Sequence, residues 1–277
     1  MDTVISSSTI ASLISHHGSA AAPFIIDVRR EAAFSADTHL IAGATWRDPF
    51  SVNDWAKFLP RHRAVLLYCV HGHEISKNTA GALCTAGIQA RYLEGGIEAW
   101  RAAGGATAKK FAHMALPSPA NMPSVWVTRE RPKIDRIACP WLVRRFIDPL
   151  AEFVYVPAHE VSGYAEKNNA IAYDVPNVQF THRGDLCSFD ALIADFELHN
   201  AALESLARIV RGADTGTPDL TPQSHGLLAV SLGLSALYQD DHEMLKHGMV
   251  IYDALYAWLK SARTEIHNAD LFKKHDR

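Results

Sequence analysis

The sequence contains few cysteines and no long apolar run. Its cysteines are Cys69, Cys84, Cys139 and Cys187, and no two of them form a Cys-X-X-Cys pair. This scatter argues against a disulfide framework and favours a reducing compartment, so we expect a cytoplasmic protein. No window approaches the length of a membrane span, and the first residues lack a basic stretch followed by a long apolar one. We therefore expect no membrane partner.

Neither sign of charge dominates the chain. The 27 Lys and Arg residues stand against 30 Asp and Glu residues, so the overall charge shows no basic footprint for nucleic acid. The overall charge does not exclude a local basic patch. The sequence therefore does not decide whether DNA is a partner. The 48% hydrophobic content supports packed cores, and 277 residues suit two domains. The sequence does not predict the oligomeric state.

A proline-rich segment divides the chain. Three prolines fall within residues 117–123, which is too many for a regular helix or strand. We predict a first domain over residues 1–105, a Pro-rich linker over 106–123 and a second domain over 124–277. In the first domain, strands are predicted to alternate with helices, which indicates an α/β fold with a parallel sheet flanked by helices. The predicted strands are 24–28, 64–68 and 91–93, and the predicted helices are 6–17, 53–59, 77–84 and 97–103.

The second domain is predicted to be α+β and mostly helical. Apolar spacing suggests strands at 125–128, 152–156 and 171–175, followed by helices over 186–196, 201–211, 224–237 and 241–260. Thr221-Pro222 and Asp240-Asp241 mark the starts of the last two helices. Pro140 leaves two alternatives for the segment around it: a helix that begins near Pro140, or a helix that kinks there. In the first case Cys139 lies at a helix N-terminus, where its pKa would fall.

Cys69 follows an apolar strand and precedes a short glycine-containing loop and a helix. Backbone N–H groups of such a loop, together with the helix dipole, surround a sulfur atom with partial positive charge and favour the reactive thiolate. This makes Cys69 a candidate catalytic nucleophile. The alternative is a small core residue, since free cysteine is often buried. The candidate active-loop residues are His71, Gly72, His73, Glu74 and Ser76.

Four segments, 24–29, 39–44, the Cys69 loop and 92–100, resemble a single-domain rhodanese in content and order. The resemblance implies a sulfurtransferase-type fold in which Cys69 carries sulfur as a persulfide, with small thiols or sulfur donors as partners. Family loops commonly carry arginine at the position of Glu74. A carboxylate there would repel an anionic donor such as thiosulfate, an effect that His71 and His73 offset if protonated.

Residues 180–190 gather side chains of the types that bind metals. His182 and Cys187 lie close together at a loop-to-helix junction, and Asp214 can join them from another helix end. These three residues are candidate ligands of a metal ion, which is the one candidate cofactor. Their spacing matches no closed structural zinc pattern. The alternative is that Asp185 or Ser188 caps the helix and that Cys187 is buried.

Arg136 and Arg144 are candidates for holding an oxyanion by charge-assisted hydrogen bonds. The alternative is a pair of ordinary surface ion pairs with neighbouring carboxylates such as Asp148.

Segments 135–148, 182–190 and 213–216 resemble the C-terminal domain of the chromate-resistance regulator family, over roughly residues 124–262. The resemblance implies an association with chromate resistance. It makes Arg136, Arg144 and His182 candidate contacts of chromate or a related oxyanion, with Cys187 as a further candidate.

These features predict a chromate-resistance-associated, sulfurtransferase-like protein. Cys69 would carry sulfur or exchange with thiols, and the C-terminal domain would bind an oxyanion or a metal. One alternative is a chromate-responsive sensor or transcriptional regulator without turnover, although the sequence shows no helix-turn-helix with a basic recognition helix. A second alternative is a metalloenzyme unrelated to chromium. Whether the protein is an enzyme is left open.

Overall fold

The computed structural model describes residues 4–5, 9–111 and 123–264, which form two successive α/β units. In the first unit short apolar strands alternate with helices, as the spacing of apolar residues predicts. Its described elements are β1 (Val4–Ile5), α1 (Ile10–His16), β2 (Phe24–Asp27), α2 (Glu31–Ala36), β3 (His39–Ile41), β4 (Ala44–Trp46), α3 (Val52–Trp55), β5 (Val65–Tyr68), α4 (Glu74–Thr85), β6 (Ala90–Leu93), α5 (Gly96–Ala102) and β7 (Thr107–Lys109).

Strands β1, β6, β5, β2 and β4, in that order, form one parallel sheet. The central strands β2 and β5 are buried along their whole length, as expected for a parallel sheet with helices on both faces. The carboxyl ends of the strands meet at one edge, and Cys69 directly follows β5 at that edge. The predicted α/β fold of the first domain is confirmed.

The second unit starts with a parallel sheet of order β10-β8-β9 and continues with helices. The side chains of Thr221 and Asp240 cap α10 and α11, so the predicted starts of these helices are confirmed. The described elements are β8 (Val125–Arg129), α6 (Asp135–Leu142), a π-helical turn (Val143–Ile147), β9 (Glu152–Val156), α7 (Val161–Asn168), β10 (Ile171–Ala172), α8 (Ser188–Asp195), α9 (Ala201–Asp214), α10 (Pro222–Leu237), α11 (Asp241–Ala257) and a second π-helical turn (Trp258–Ala262).

The strand predicted over 171–175 ends earlier, at Ala172. Asp174 has a φ of 51°, a left-handed conformation that turns the chain out of the sheet. Its backbone N–H donates to the carbonyl of Phe180 instead. This turn brings the Asp174 side chain to the carboxyl edge of the second sheet.

Helix α6 begins at Asp135 and runs through Pro140, followed by the π-helical turn. A proline lacks the N–H that would bond the carbonyl four residues earlier. Here the Tyr173 hydroxyl lies 3.3 Å from that carbonyl, on Arg136, and donates to it. Of the two alternatives for this segment, the helix that begins near Pro140 is therefore wrong. Cys139 is buried inside the helix, and burial raises the pKa of its thiol rather than lowering it.

Part of the segment predicted as a linker is ordered. Residues 107–109 form β7, which pairs antiparallel with β3, and the proline-rich part over 112–122 lies outside the described residues. The helix predicted over 6–17 occupies Ile10–His16, while 6–8 also lie outside them. Residues 265–277 of the predicted second domain are likewise outside the described range.

The two units pack against each other through the first π-helical turn. The Phe146 ring contacts His17 edge-on, with ring centroids 5.6 Å apart, and the Phe146 carbonyl accepts a hydrogen bond from the N–H of Gly43. Gly18 has a φ of +77°, and a Cβ there would lie 2.2 Å from the Phe146 ring. Glycine is therefore required at this contact.

No helix among the described residues is both long and apolar enough to span a bilayer.

Candidate functional site

Cys69 lies at the carboxyl edge of the first sheet, where only 6% of its surface is exposed. Its Sγ is 3.3 Å from the Oγ of Ser76, in the first turn of α4. Ser76 Oγ donates to the carbonyl of His73, so the thiol is the group that donates to Ser76 in this arrangement. Rotation of the hydroxyl would let Ser76 donate to a thiolate once the thiol proton is lost.

The backbone of the Cys69 loop is held by the first turn of α5. The N–H of Ile97 donates to the carbonyl of Cys69 over 3.0 Å. A Cβ on Gly72, which has a φ of +68°, would lie 2.3 Å from the carbonyl oxygen of Leu93, so only glycine fits. Among the described residues, the N–H groups of His71, Gly72 and His73 find no protein acceptor. They are therefore available to an anionic ligand.

The predicted active-loop residues differ in exposure. His71, His73 and Glu74 are exposed, while Gly72 and Ser76 are buried. The two imidazole centroids are 5.8 Å apart. Glu74 is the first residue of α4 and is exposed to solvent. The sequence predicted that these residues share one loop, but it did not predict which of them are exposed.

A buried ion pair supports the strand that leads into Cys69. Arg29 is 1% exposed and donates to both carboxylate oxygens of Asp27 and to Asp37. The hydroxyl of Tyr68, directly before Cys69, donates to the same Asp27 carboxylate over 2.8 Å. Asp27 and Arg29 thus hold neighbouring chain segments in place, and they have no contact with the thiol among the described hydrogen bonds.

A second polar cluster surrounds His182 in the C-terminal half. His182 Nε2 is 3.2 Å from Asp214 Oδ2, 3.4 Å from Asp174 Oδ1 and 3.6 Å from Asp135 Oδ2. The carboxylates come from the end of α9, the turn after β10 and the start of α6. One ligand atom from each of Asp135, His182 and Asp214 lies within 4.8 Å of the others. We call these four residues the Asp/His cluster.

The carboxylates of this cluster repel one another. Asp135 accepts the N–H groups of Ser188 and Phe189 at the start of α8 and is fully buried. Burial, with repulsion from Asp214 and Asp174, raises the pKa of Asp135 well above its usual range. Burial and the charge on Asp174 raise the pKa of Asp214. A cation would relieve this repulsion, and mixed carboxylate and imidazole donors suit a divalent metal ion.

Only part of the predicted ligand set comes together. Cys187 lies outside the Asp/His cluster: it precedes α8, its Sγ donates to Asp190 over 3.3 Å, and burial raises the pKa of its thiol. This matches the alternative of a buried cysteine, although the residue that caps the helix is Cys187 itself. Asp135 and Asp174 were missed. Their position after strands of a parallel sheet, where ligands usually bind, was the available signal.

The two candidate oxyanion arginines have separate contacts. Arg136 Nε is 3.3 Å from Asp174, so Arg136 and His182 meet at one carboxylate. Arg144 donates to the carbonyl of Ala151, and its guanidinium lies over the Phe153 ring.

Two family models match successive parts of the chain. Residues 9–103 match the model of the rhodanese-like domain, and residues 126–259 match the model of the ChrB C-terminal domain. Protein ChrB of Cupriavidus metallidurans is 34% identical over 140 residues, which cover 50% of this chain and 41% of the relative. The match thus spans less than half the length of that relative.

Two solved structures that are similar to the first part of the chain come from an archaeon and a bacterium. A rhodanese-related protein of Thermoplasma volcanium is 21% identical with a TM-score of 0.31, covering 38% of this chain and 95% of that chain. A rhodanese-like domain protein of Staphylococcus aureus is 22% identical with a TM-score of 0.30, covering 36% of this chain and 91% of the other. The family matches lead to one conclusion: the chain carries a rhodanese-like domain over residues 9–103 and a ChrB C-terminal domain over residues 126–259.

Proposed function

We propose that this protein is a chromate-resistance-associated sulfur carrier that holds sulfane sulfur on Cys69. The observation that carries the proposal is the position of Cys69: its thiol sits beside Ser76, in a loop whose backbone donors at 71–73 have no protein acceptor among the described residues. Such donors stabilise a negative charge that develops on sulfur. The association with chromate rests on similarity to ChrB.

The chemistry is two successive displacements at sulfur. The Cys69 thiolate attacks the outer sulfur of a donor, a new S–S bond forms, and the donor's own S–S bond breaks. Sulfite leaves with the electron pair if the donor is thiosulfate, and a thiolate leaves if it is a persulfide. An acceptor thiolate then attacks the outer sulfur of the Cys69 persulfide, and Cys69 departs as a thiolate.

Glu74 is expected to set donor preference. Its exposed carboxylate at the start of α4 repels an anion that approaches the loop. Glu74→Arg should speed sulfur transfer from thiosulfate by on the order of tenfold, because it reverses one charge at the end of the Cys69 loop. Transfer from a monoanionic persulfide donor, which carries less negative charge than thiosulfate, should change less. The rates are measured by quenching the reaction at successive times and determining the added sulfur by intact-protein mass spectrometry. Glu98→Arg, on α5, is the matched charge reversal, and an equal gain there would show a nonspecific effect.

A second candidate function, metal binding in the C-terminal domain, is favoured by the Asp/His cluster. Asp135, His182 and Asp214 offer oxygen and nitrogen atoms close enough to share one ion. A bound divalent cation would neutralise the repulsion that raises the pKa of Asp135 and Asp214. Binding without turnover would fit the sensor alternative, while cation-dependent chemistry would fit the metalloenzyme alternative.

His182→Ala is expected to weaken binding of Mn²⁺ or Zn²⁺ by at least tenfold, because it removes the only nitrogen donor of the cluster. Isothermal titration of the full chain measures the affinity. His225→Ala is the control, since His225 also lies 2.8 Å from a carboxylate, Asp219, but is exposed and apart from the cluster. Equal affinity in wild type and His182→Ala would contradict the proposed site.

The cluster also predicts a pH dependence. With a raised pKa in the folded state, Asp135 and Asp214 hold protons at pH values where the unfolded chain has lost them. Their contribution to stability is therefore present at low pH and is lost as pH rises through the raised pKa. Metal-free wild type should lose stability relative to Asp214→Asn over this window, which lies above the ordinary Asp pKa of 3.8. Urea unfolding at several pH values measures the free energy of unfolding of both proteins. If this free energy changes with pH in the same way in wild type and Asp214→Asn, the prediction is contradicted.

A further inference from the structure

Helix α10 buries serines and exposes large apolar side chains, which is unusual for a helix on the surface of a protein. Its fully buried residues are Ser224, Leu227, Ser231 and Ser235. The Ser224 hydroxyl donates to the carbonyl of Ile209 on α9, and a Cβ on Gly212 of α9 would lie 2.4 Å from this hydroxyl. The small serines therefore let α10 pack closely on α9, and most of the apolar surface of α10 lies on its other side.

The outer side of α10 is apolar and uncharged. Val230, Leu232 and Leu237 are 47%, 49% and 75% exposed. The other exposed residues from 226 to 237 are Gly226, Ala229, Gly233 and Ala236. We call these seven exposed residues the α10 face. Since residues 222–237 contain no Asp, Glu, Lys or Arg, the α10 face suits an apolar protein surface and offers no charge to a charged partner.

Two glycines of the α10 face are not required by the fold of a single chain. Gly226 and Gly233 lie inside the helix, and a Cβ on either would meet no described atom within 4 Å. Glycine inside a helix is destabilising relative to alanine. Small residues at these positions are useful when a second helix packs closely against them.

We propose that the α10 face joins two copies of this chain, with the two α10 helices antiparallel about a twofold axis. When the axis lies midway between residues 231 and 232, Leu237 of one copy faces Gly226 of the other, and Val230 faces Gly233. Each large side chain then meets a glycine. The α10 face is thus complementary to itself in size and in its lack of charge, as a twofold interface requires.

The length of the helix limits the strength of this contact. With 16 residues, α10 is about 24 Å long. Two such helices bury on the order of 1,000 Å² in total, at the lower end of specific interfaces. We therefore expect a reversible dimer with a dissociation constant on the order of 10 μM. The proposal depends neither on sulfur transfer at Cys69 nor on metal binding, so it goes beyond the proposed function.

Sedimentation equilibrium of the full chain at about 1 to 300 μM tests the proposal, and wild type should shift from monomer to dimer over this range. Gly233→Leu should weaken the dimer by at least about tenfold, because the added side chain clashes with Val230 of the second copy. Within one copy the new side chain enters open space, so the thermal unfolding midpoint of the monomer should not fall.

Gly163→Leu is the matched control for Gly233→Leu. Gly163 is also an exposed glycine inside a helix, α7, and a Cβ there would likewise meet no described atom within 4 Å. This variant should dimerise like wild type. Leu237→Glu tests the other end of the α10 face, since it would bury a carboxylate against the second copy, and it should also weaken the dimer.

Three outcomes would overturn the proposal. A monomer at every concentration would leave the α10 face for a different partner. Equal dimerisation of wild type and Gly233→Leu would place the dimer contact elsewhere on the chain, and equal weakening by Gly163→Leu would show an effect unrelated to α10. If Gly233→Leu does not fold, Leu237→Glu still decides, because Leu237 is exposed at the last position of the helix.

Discussion

Cys69→Ala protein is expected to gain no sulfur when it is incubated with thiosulfate or with a persulfide donor, whereas wild type gains the mass of one sulfur atom. The loss should be complete, because no other described thiol stands in a loop with free backbone donors. Cys139 and Cys187 are buried, and burial raises the pKa of both thiols, so little of either is present as the reactive thiolate. Intact-protein mass spectrometry measures the addition directly.

Cys84→Ala is the matched control for this experiment. Cys84 is the exposed cysteine among the four, and it lies on α4, whose first turn packs on Cys69. If sulfur addition reflects exposure alone, Cys84→Ala would lower it and Cys69→Ala would not. That outcome would refute the sulfur-carrier proposal and leave the rhodanese-like domain as a binding scaffold. Metal binding at the Asp/His cluster would then be the favoured function.

Arg29→Ala is expected to lower the free energy of unfolding of the first domain by about 3–5 kcal/mol. The substitution leaves Asp27 as an uncompensated charge that is 0% exposed. It also removes the bond from Arg29 to Asp37 and the bond to the carbonyl of His39, which holds β3 in place. Since Asp27 also accepts the Tyr68 hydroxyl, sulfur loading at neighbouring Cys69 should fall as the domain loosens. Urea unfolding measures the stability.

Arg101→Ala is the control for Arg29→Ala. It shows how much stability is lost when Asp37 loses an arginine partner but Asp27 keeps its own. Arg101 donates to the same Asp37 oxygen, but its side chain is 34% exposed. An exposed ion pair contributes about 0–1 kcal/mol, so Arg101→Ala should be nearly neutral. Similar losses in the two variants would mean that burial of the Asp27–Arg29 pair does not dominate.

The sequence predicted the features whose causes are local. The Cys69 loop joins a strand to a helix within a few consecutive residues, so its residue types are sufficient to indicate a reactive loop. Helix starts at Thr221 and Asp240 follow from side chains that cap the N–H groups three residues on. The α/β pattern of the first domain is local as well, because the period of apolar residues determines which faces are buried.

The Asp/His cluster was only partly predictable. Asp135, Asp174, His182 and Asp214 span about half of the second domain, and the sheet and helix packing decides that they meet. The sequence predicted that His182 and Asp214 lie together. The third candidate ligand beside them is Asp135 and not the predicted Cys187. The reason is the start of α8, which points the N–H groups of Ser188 and Phe189 at the Asp135 carboxylate and turns the Cys187 thiol toward Asp190.

By itself, then, the sequence determined the two domain types and predicted a reactive loop at Cys69, since both depend on short-range patterns. Tertiary structure alone decided how α6 passes through Pro140, because the hydroxyl that satisfies the freed carbonyl comes from Tyr173 in another element. It also decided that the Phe146 ring packs against His17 and Gly18 at the domain junction. Such contacts depend on how separate elements pack. The spacing of residues along one segment of the chain does not predict that packing.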